Sequence, residues 1–357
     1  MTPIYNLMSS ARRSLDMTMY ELSDTTSEAI LIADHKRGVA VRVLLDRAYS
    51  GESVNQAAYS TLSSAGVPVE WANDSAIFHQ KTITVDGSES AIMTGNLTSQ
   101  YYTTTRDFIV MDDQVSDVSA IESVFDSDWS GAAPSAGPGG LDLVWSPGSE
   151  PALAGLIDSA VHSVGVENEE MDSEPIEEAL DSDAARGVDV TVVMTADSDW
   201  DPAFSQLESD GVHVVLYPDT ETALYIHAKV IDVDSTKAFI GSENFSTASL
   251  DYDRELGVIT SSAAIVGSLT STLSGDISNG QLQQRSTPPL ASTTLPTSVR
   301  PPTSTTTSGC YPIDDEGGCY EPGEYCRDDD HGATGRAGNG ATIVCEDENG
   351  TWYWEST

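Results

Sequence analysis

Basic residues are scarce in this chain. Its 357 residues include 16 Lys and Arg against 57 Asp and Glu, which gives a formal net charge of −41. Lysine is limited to Lys36, Lys81, Lys229 and Lys237. Because proteins that bind nucleic acids usually present a basic surface, we expect no stable nucleic-acid partner. Such an excess of like charge repels itself at low salt and is typical of a halophilic protein whose charges are screened.

Cysteine and long apolar runs are also missing from most of the chain. No stretch reaches the roughly 18 apolar residues of a membrane helix. The cysteines all lie in the last 48 residues, at Cys310, Cys319, Cys326 and Cys345. A module this short buries little apolar surface, so we predict two disulfides, with any of the three possible pairings. A zinc site is the alternative, although the spacing lacks the usual C-x2-C pair.

Composition divides the chain into segments. Residues 286 to 308 contain 18 Ser, Thr or Pro among 23, which cannot build a core and indicates an extended linker. Because disulfides form in oxidising compartments, we expect a secreted protein. The predicted segments are a first half-domain (1–130), a linker (131–140), a second half-domain (141–285), the Ser/Thr/Pro-rich linker (286–308) and a Cys-rich module (309–357).

Residues 1 to 285 contain an internal repeat with an offset of about 148 residues. Residues 38–46, a buried-strand pattern after a helix, match residues 187–195. Residues 66–69 match residues 211–214 in the same way. Helices and strands alternate in both copies, which predicts an α/β fold with a mostly parallel sheet, flanked by helices, in each half.

The repeat brings two H-x-K-x4-D motifs into register. One runs from His79 to Asp86 through Lys81, and the other runs from His227 to Asp234 through Lys229. A hydroxyl residue, an asparagine and an acidic residue follow each motif at matching distances: Thr94, Asn96 and Asp107, then Ser242, Asn244 and Glu255. A His and a Lys two apart on a strand project from one face, so both can contact one ligand.

These residue types suit a phosphate group. Lysine supplies positive charge for the phosphate oxygens, and asparagine and hydroxyl groups donate hydrogen bonds. A carboxylate can accept the N–H of an imidazole and fix its tautomer. The motifs also hold two of the four lysines of the chain, which indicates that these positions demand the charge.

The duplicated motif, with Gly241-Ser-Glu-Asn244 downstream, resembles the phospholipase D superfamily over about residues 1 to 270. The resemblance implies two half-domains whose motifs form one site, where His79 attacks phosphorus and His227 protonates the leaving oxygen. No cofactor or metal is implied, because lysines supply the charge. The implied remaining roles are phosphate binding for Lys81, Lys229, Thr94, Asn96, Ser242 and Asn244, histidine orientation for Asp107 and Glu255, and bracing of the motif loops for Asp86 and Asp234.

One position departs from the pattern of the family. The first half has Met93-Thr-Gly-Asn96, with Met where the family has glycine, so we expect a different backbone path near Thr94. The leading hypothesis is a secreted, monomeric phospholipase D that acts on glycerophospholipids. An extracellular nuclease is one alternative. Another is a surface-binding protein, in which the C-terminal module contacts the cell surface and the large domain is accessory.

The start of the chain lacks two expected features. A strand-like run at residues 141–145 precedes the first helix of the second half, whereas the first half opens directly on the matching helix at residues 3–11. Predicted disulfides also call for an export signal. We therefore expect the natural product to begin upstream of Met1, with a signal peptide and one further strand.

Overall fold

The computed structural model describes residues 1–48, 51–138, 142–220, 222–282, 334–337, 342–348 and 351–356. The chain divides into two units, Met1–Ser286 and Thr287–Thr357. The Ser/Thr/Pro-rich linker predicted at 286–308 lies outside the described residues. Cys310, Cys319 and Cys326 also lie outside them, so the two disulfides stay a prediction.

Both halves of the larger unit contain several helices. The first half contains α1 (Thr2–Ser10), α2 (Thr25–Lys36), α3 (Gly51–Ser64) and α4 (Val115–Trp129). The second half contains α5 (Glu150–Asp158), α6 (Glu174–Ala185), a 3-10 turn (Ser198–Trp200), α7 (Asp201–Asp210), α8 (Thr247–Asp251) and α9 (Ala263–Asn279). No helix among the described residues is long and apolar enough to cross a membrane.

Strands of the same unit alternate with these helices. The first half contains β1 (Ser14–Met19), β2 (Ala40–Leu45), β3 (Val69–Trp71), β4 (Lys81–Val85), β5 (Glu89–Met93), β6 (Thr105–Arg106) and β7 (Ile109–Asp112). The second half contains β8 (Leu143–Ser146), β9 (Ser163–Glu167), β10 (Met171–Asp172), β11 (Asp189–Thr195), β12 (His213–Tyr217), β13 (Tyr225–Ile226), β14 (Val230–Val233), β15 (Lys237–Gly241), β16 (Phe245–Ser246), β17 (Glu255–Thr260) and β18 (Gln281–Leu282).

Each half has one main sheet, and the two sheets follow the same plan. The first has the order β3-β2-β1-β4-β5-β7, and the second has the order β18-β12-β11-β9-β14-β15-β17-β8. Thus β1, β2, β3, β4, β5 and β7 correspond to β9, β11, β12, β14, β15 and β17. Within the described residues, the first sheet ends at β7, whereas β8 pairs with β17 to extend the second.

The sheets are mixed and flanked by helices, as expected, but the prediction that they are mostly parallel was wrong. Parallel pairing is confined to β1-β2-β3 and β9-β11-β12, and the other pairs of both main sheets are antiparallel. One source of the antiparallel pairing is the aspartate that ends each motif. Asp86 and Gly87 have φ of 55° and 61°, and Asp234 and Ser235 have φ of 53° and 51°. These left-handed residues form hairpin turns, so the strand after each motif returns antiparallel.

The parallel strands follow from the helices before them. Gly38 and Gly187 follow the last turns of α2 and α6 with φ of 93° and 89°, a conformation that glycine adopts without steric cost. Each glycine ends its helix and leads into β2 or β11. The Asp24 carboxylate caps the start of α2 by accepting the Thr26 N–H at 2.9 Å.

The two halves share apolar and polar contacts. Strand β6 of the first half pairs in parallel with β13 of the second. The Arg106 guanidinium makes two hydrogen bonds to Asp276 on α9, of 2.6 and 2.7 Å. A buried cluster also joins Ile92 and Val110 of the first sheet to Ile240 of the second. The halves therefore form one packed unit, which holds the two motifs in fixed positions relative to each other.

Arg254, the residue before Glu255, contacts both halves. Its buried guanidinium lies 3.0 Å from the Asp128 carboxylate on α4 and donates to the Ser146 carbonyl. Its backbone accepts the Gln80 N–H at 2.9 Å and donates to the Ile77 carbonyl at 2.8 Å. The residues on either side of His79 are therefore fixed to the start of β17.

The smaller unit contains a three-stranded antiparallel sheet. It consists of β19 (Thr334–Arg336), β20 (Thr342–Glu348) and β21 (Thr351–Ser356). Ala337, Ile343, Cys345 and Trp354 form its small buried core. The described part of this unit is therefore an antiparallel sheet around a Trp side chain.

Replacing Arg254 with Met should destabilise the fold. The buried Asp128 carboxylate would lose its charged partner, which usually costs about 3–5 kcal/mol. Burial already raises the pKa of Asp128 to about 6, against the opposing charge of Arg254. Asp128 can therefore take up a proton, and we expect a loss in the free energy of unfolding at the lower end of that range. Chemical denaturation at fixed salt measures it.

The control is Arg12→Met, which makes the same charge change at an exposed residue. Exposed substitutions usually change stability by less than about 0.5 kcal/mol. Equal free energies of unfolding in the two variants would contradict the role assigned to the Arg254 and Asp128 pair.

Candidate active site

Both motif histidines lie where the sheets of the two halves meet. His79 precedes β4, which is antiparallel to β1, and His227 precedes β14, which is antiparallel to β9. The histidines therefore lie at the carboxyl ends of β1 and β9. A cavity of about 810 Å³ opens there, lined by His79, His227, Asn96 and Asn244 together with tyrosine and acidic side chains.

Each histidine is paired with a carboxylate from the opposite half. His79 Nδ1 lies 2.9 Å from one carboxylate oxygen of Glu255 and 3.0 Å from the other. His227 Nδ1 lies 2.8 Å from Asp107 Oδ1. A carboxylate at Nδ1 favours the tautomer that carries its proton there, which leaves Nε2 as the basic nitrogen. The sequence predicted that Asp107 and Glu255 orient histidines, but it gave no sign of this exchange between the halves.

Hydroxyl groups hold the two carboxylates in place. Asp107 accepts hydrogen bonds from Thr94 Oγ1 at 2.8 Å and from Thr105 Oγ1 at 2.9 Å. Glu255 accepts one from Ser249 Oγ at 2.5 Å. Ser242 Oγ accepts the Leu256 N–H at 3.1 Å, next to Glu255. Thr94 and Ser242, which the family resemblance assigned to phosphate binding, therefore lie behind the carboxylates and outside the cavity lining.

Both motif lysines are fully buried. Lys81 Nζ donates to the His79 carbonyl at 2.5 Å, and Lys229 Nζ donates to the His227 carbonyl at 2.6 Å. Burial lowers the pKa of Lys81 to about 7, with Glu255 opposing the shift and Lys229 adding to it. Within the described ranges, no group of three or more His, Cys, Asp or Glu residues is arranged to hold a metal ion.

The two asparagines reach the cavity with unused polar atoms. Among the described residues, no donor is bonded to Oδ1 of Asn96 or Asn244, although both atoms are buried. Asn244 Nδ2 donates to Glu170 Oε1 at 2.8 Å. Buried polar atoms are usually paired, so unused ones in a cavity wall indicate groups that a ligand would meet.

Asp86 and Asp234 do not reach the cavity. Asp86 accepts the backbone N–H groups of residues 12, 13 and 14, with the shortest at 2.6 Å. Asp234 accepts those of residues 161, 162 and 163, with the shortest at 2.7 Å. Burial acts to raise the pKa of each carboxyl, but these hydrogen bonds outweigh it and lower the pKa. Both aspartates, included among the catalytic candidates, have contacts that brace the hairpin turns.

The departure at Met93 is compensated two residues later. A side chain at Gly95 would meet Asp107, whose carboxyl carbon lies 2.6 Å from the position of its Cβ. In the second half, a Cβ at Gly241 would lie 2.2 Å from Glu243 Oε2. The first half therefore has Met93 and Gly95 where the second half has Gly241 and Glu243. Each copy keeps one glycine of the pair, at a place where a side chain would collide with a neighbour.

Sequence reasoning missed two glutamates at the site. Glu169 Oε2 lies 2.7 Å from Lys229 Nζ and 3.5 Å from His227 Nε2. Tyr225 Oη donates to Glu169 Oε1 at 3.0 Å, and Glu170 binds Asn244. Both glutamates follow β9 directly. The signal that could have found them is their place after the first parallel strand of a half, where α/β sheets commonly bind ligands.

The two histidine and carboxylate pairs differ in their electrostatics. Burial lowers the pKa of His79 well below its usual value, and Lys81 and Lys229 add to the shift. Burial raises the pKa of Glu255 to about 7, opposed mainly by Lys81. For Asp107, burial acts to raise the pKa, but the charge and hydrogen bond of His227, together with the charge of Lys229 and the Thr94 hydrogen bond, outweigh it and lower the pKa. His79 is therefore a neutral imidazole at neutral pH.

A known protein family matches both halves of the larger unit. The family model described as "Cardiolipin synthase, PLD-like domain" matches residues 4–129 and again residues 153–277. The chain belongs to the phospholipase D superfamily. Each match covers one half of the larger unit and includes one motif of the superfamily, so the cavity at the junction is where its active site is expected.

Relatives with curated names match one part of this phospholipase D-like chain. It is 34% identical over 125 residues to the mitochondrial cardiolipin hydrolase of Xenopus tropicalis, a match that covers 34% of this chain and 58% of that protein. It is 35% identical over 89 residues to the mitochondrial cardiolipin hydrolase of Danio rerio, covering 25% of this chain and 37% of that one. The chain thus spans just over half, or less, of these relatives.

Two solved structures share the fold across both halves. Phosphatidylserine synthase of Haemophilus influenzae superposes with a TM-score of 0.62 at 12% identity, covering 79% of this chain and 85% of that one. Polyphosphate kinase of Porphyromonas gingivalis gives a TM-score of 0.59 at 14% identity, covering 77% of this chain and 47% of that one. At these identities the likeness shows the fold alone.

The Glu255 carboxylate should set the acid limb of the pH dependence. Its raised pKa of about 7 means that the ionised form, which accepts the His79 Nδ1–H, is present above that pH and lost below it. Activity should therefore fall as the pH drops through about 7. In Glu255→Gln this limb should disappear, and kcat at higher pH should fall at least about a hundredfold. The measurement is kcat against pH on an aryl phosphodiester.

Asp107→Asn is the matched variant in the other pair. It should lower kcat while keeping the acid limb, because Glu255 still titrates. An unchanged acid limb in Glu255→Gln would assign the titration to another group.

Proposed function

We propose that this protein hydrolyses phosphodiester bonds through a covalent phosphohistidine. His79 Nε2 attacks phosphorus and forms a P–N bond, while the P–O bond to the leaving alcohol breaks. His227 gives its Nε2 proton to the leaving oxygen. His227 then takes a proton from water, the water oxygen attacks phosphorus, and the P–N bond breaks to release a phosphomonoester. The observation that carries this proposal is the facing pair of histidines, each held by a carboxylate of the other half.

The surroundings of the two rings support these roles. The pKa of His79 is lowered by burial and by two lysines, as a neutral nucleophile requires. An imidazolium at His227 would have two carboxylates as neighbours, Asp107 at Nδ1 and Glu169 at Nε2. A group that starts charged and donates its proton is suited to that place.

Lysine and asparagine side chains would stabilise the charge on the transferring phosphoryl group. Lys81 and Lys229 flank the histidines, and Asn96 and Asn244 line the cavity. Fixed donors of this kind stabilise a transition state strongly, because they need no reorganisation during the reaction. These charges do the work that a metal ion does in other phosphodiesterases.

Glycerophospholipids are the proposed substrates, with release of the head-group alcohol. Two relatives are named as cardiolipin hydrolases, and a protein of the same fold is named as a phosphatidylserine synthase. The cavity wall also includes Glu21, Glu169, Glu170 and Asp219, which disfavours a long polyanion such as DNA. Secretion, adaptation to high salt, a monomeric state and a C-terminal module that contacts the cell surface belong to the same proposal.

The paired mechanism is tested by removing one histidine at a time. His79→Ala and His227→Ala should each lower kcat by at least about a hundredfold, because both groups act in one chemical step. After rapid quenching, phosphate should be found on His79 and be absent in His79→Ala. More than a tenth of the wild-type activity in either variant would refute the pairing. Phosphate trapped on His227 would reverse the two roles.

The substrate is tested by a panel measured from low to high salt. It contains phosphatidylcholine, cardiolipin, single-stranded DNA and an aryl phosphodiester. We expect turnover of lipid and aryl substrates that resists chelators, with little cleavage of DNA at any salt. Cleavage of DNA faster than lipid would establish the nuclease instead. Full inhibition by a chelator, reversed by one particular metal, would contradict the lysine-based mechanism.

A further inference from the structure

The Glu169 carboxylate lies where the proposed chemistry needs a phosphate oxygen. Its Oε2 is 2.7 Å from Lys229 Nζ and 3.5 Å from His227 Nε2. Its Oε1 accepts the Tyr225 hydroxyl at 3.0 Å. Lys229 is fully buried and bonds the His227 carbonyl as well, so its ammonium group has a fixed direction. A carboxylate oxygen and a phosphate oxygen cannot both fill the space between Nζ and Nε2.

At the corresponding position the first half has a tyrosine instead of a carboxylate. Strand β1 pairs with β4 in the same register, relative to the motif histidine, as β9 pairs with β14. Tyr20 therefore corresponds to Glu169. The Tyr20 ring packs edge-on against His79, with centroids 4.7 Å apart, and Lys81 Nζ lies 5.0 Å from its centre. The first half thus has an aromatic ring beside its motif histidine and lysine, where the second half has a carboxylate.

The charge of Glu169 is permanent at working pH. Burial acts to raise its pKa, but His227, Lys229 and the Lys229 hydrogen bond outweigh that effect and hold it well below its usual range. The other charged groups that face it are His79 and Lys81, with Glu21 and Glu170 on the acidic side. Glu169 is therefore an anion held against the cations that a phosphate would bind.

We propose that Glu169 is a specificity residue that competes with phosphate for Lys229 and His227. It occupies this position in the empty site, is displaced by the substrate, and returns as the product leaves. The proposal rests on the proposed function, because it assigns Lys229 and His227 to the phosphate. An internal competitor raises the apparent dissociation constant of every anion, because the intrinsic constant is divided by the fraction of sites that the competitor leaves open.

The competition should weigh most on the product. A phosphodiester has one negative charge, whereas a phosphomonoester approaches two near neutral pH. The displaced Glu169 stays in the same cavity and repels a dianion about twice as strongly as a monoanion at the same distance. Glu169 therefore favours the monoanionic substrate over the dianionic product and limits product inhibition.

Binding of inorganic phosphate to the intact protein tests this directly. Calorimetric titration at a pH where phosphate is mostly dianionic should show at least about tenfold tighter binding to Glu169→Gln than to wild type, a difference of about 1.4 kcal/mol. Glutamine keeps the shape of the side chain and an acceptor for Lys229. The control Glu178→Gln removes one charge from an exposed position on α6 and should bind phosphate as wild type does. Equal or weaker binding to Glu169→Gln would overturn the proposal.

Tyr225→Phe gives a second test that keeps every charge. It removes the hydroxyl that holds Glu169 Oε1, so phosphate should bind more tightly, but by a smaller factor than in Glu169→Gln. In steady-state assays on an aryl phosphodiester, Glu169→Gln should lower the inhibition constant of the phosphomonoester product more than it lowers KM. Equal changes in both constants, or unchanged phosphate affinity in Tyr225→Phe, would count against the proposal.

The binding experiment is separate from the question of activity. If no phosphodiester is turned over, the proposed function fails, while tighter phosphate binding by Glu169→Gln still supports the competition. If turnover is found and phosphate affinity does not rise, the competition fails and the proposed function stands.

Discussion

The exchange of carboxylates between the halves is the constraint on which the rest of this structure depends. His79 is oriented by Glu255 and His227 by Asp107, so neither half can complete its own histidine. Contacts outside the cavity maintain this geometry. The pairing of β6 with β13 brings Asp107 toward the second half, and Arg254 holds the start of β17 against the residues around His79. A small shift between the halves would lengthen both histidine bonds together.

Charge is distributed with unusual economy around this site. The protein has 16 basic residues in all, and it places two lysines where they are fully buried. Buried ammonium groups are costly unless acids and carbonyl groups surround them. Glu169, Glu255 and the carbonyls of the two histidines meet that need. The pKa of Lys81 is nevertheless lowered to about 7, so its ammonium group depends on these acids to stay charged at neutral pH. An acidic protein can therefore keep a cationic centre because the centre is compensated locally.

The sequence predicted the two halves, the histidines and the lysines, because their spacing repeats and their chemistry is distinctive. Spacing alone does not show how the side chains pack. Thr94 and Ser242 recur at matching positions, as the asparagines do, yet their hydroxyls face the carboxylates. The position after the first parallel strand is Glu169 in the second half but Tyr20 in the first, so the repeat gave no reason to select it. The antiparallel hairpin of the first half could have been predicted from Asp86-Gly87, because this dipeptide is a strong signal for a hairpin turn.

The difference between Tyr20 and Glu169 has a consequence for how a substrate lies in the cavity. A perfectly twofold centre would be indifferent to direction, because a diester turned end for end would meet the same surroundings. One aromatic ring opposite one carboxylate removes that degeneracy. The site thereby gains two distinguishable sides, and in the proposed reaction the departing alcohol would lie on one of them. Two copies of one motif thus form a site with a direction, to which this unmatched position contributes.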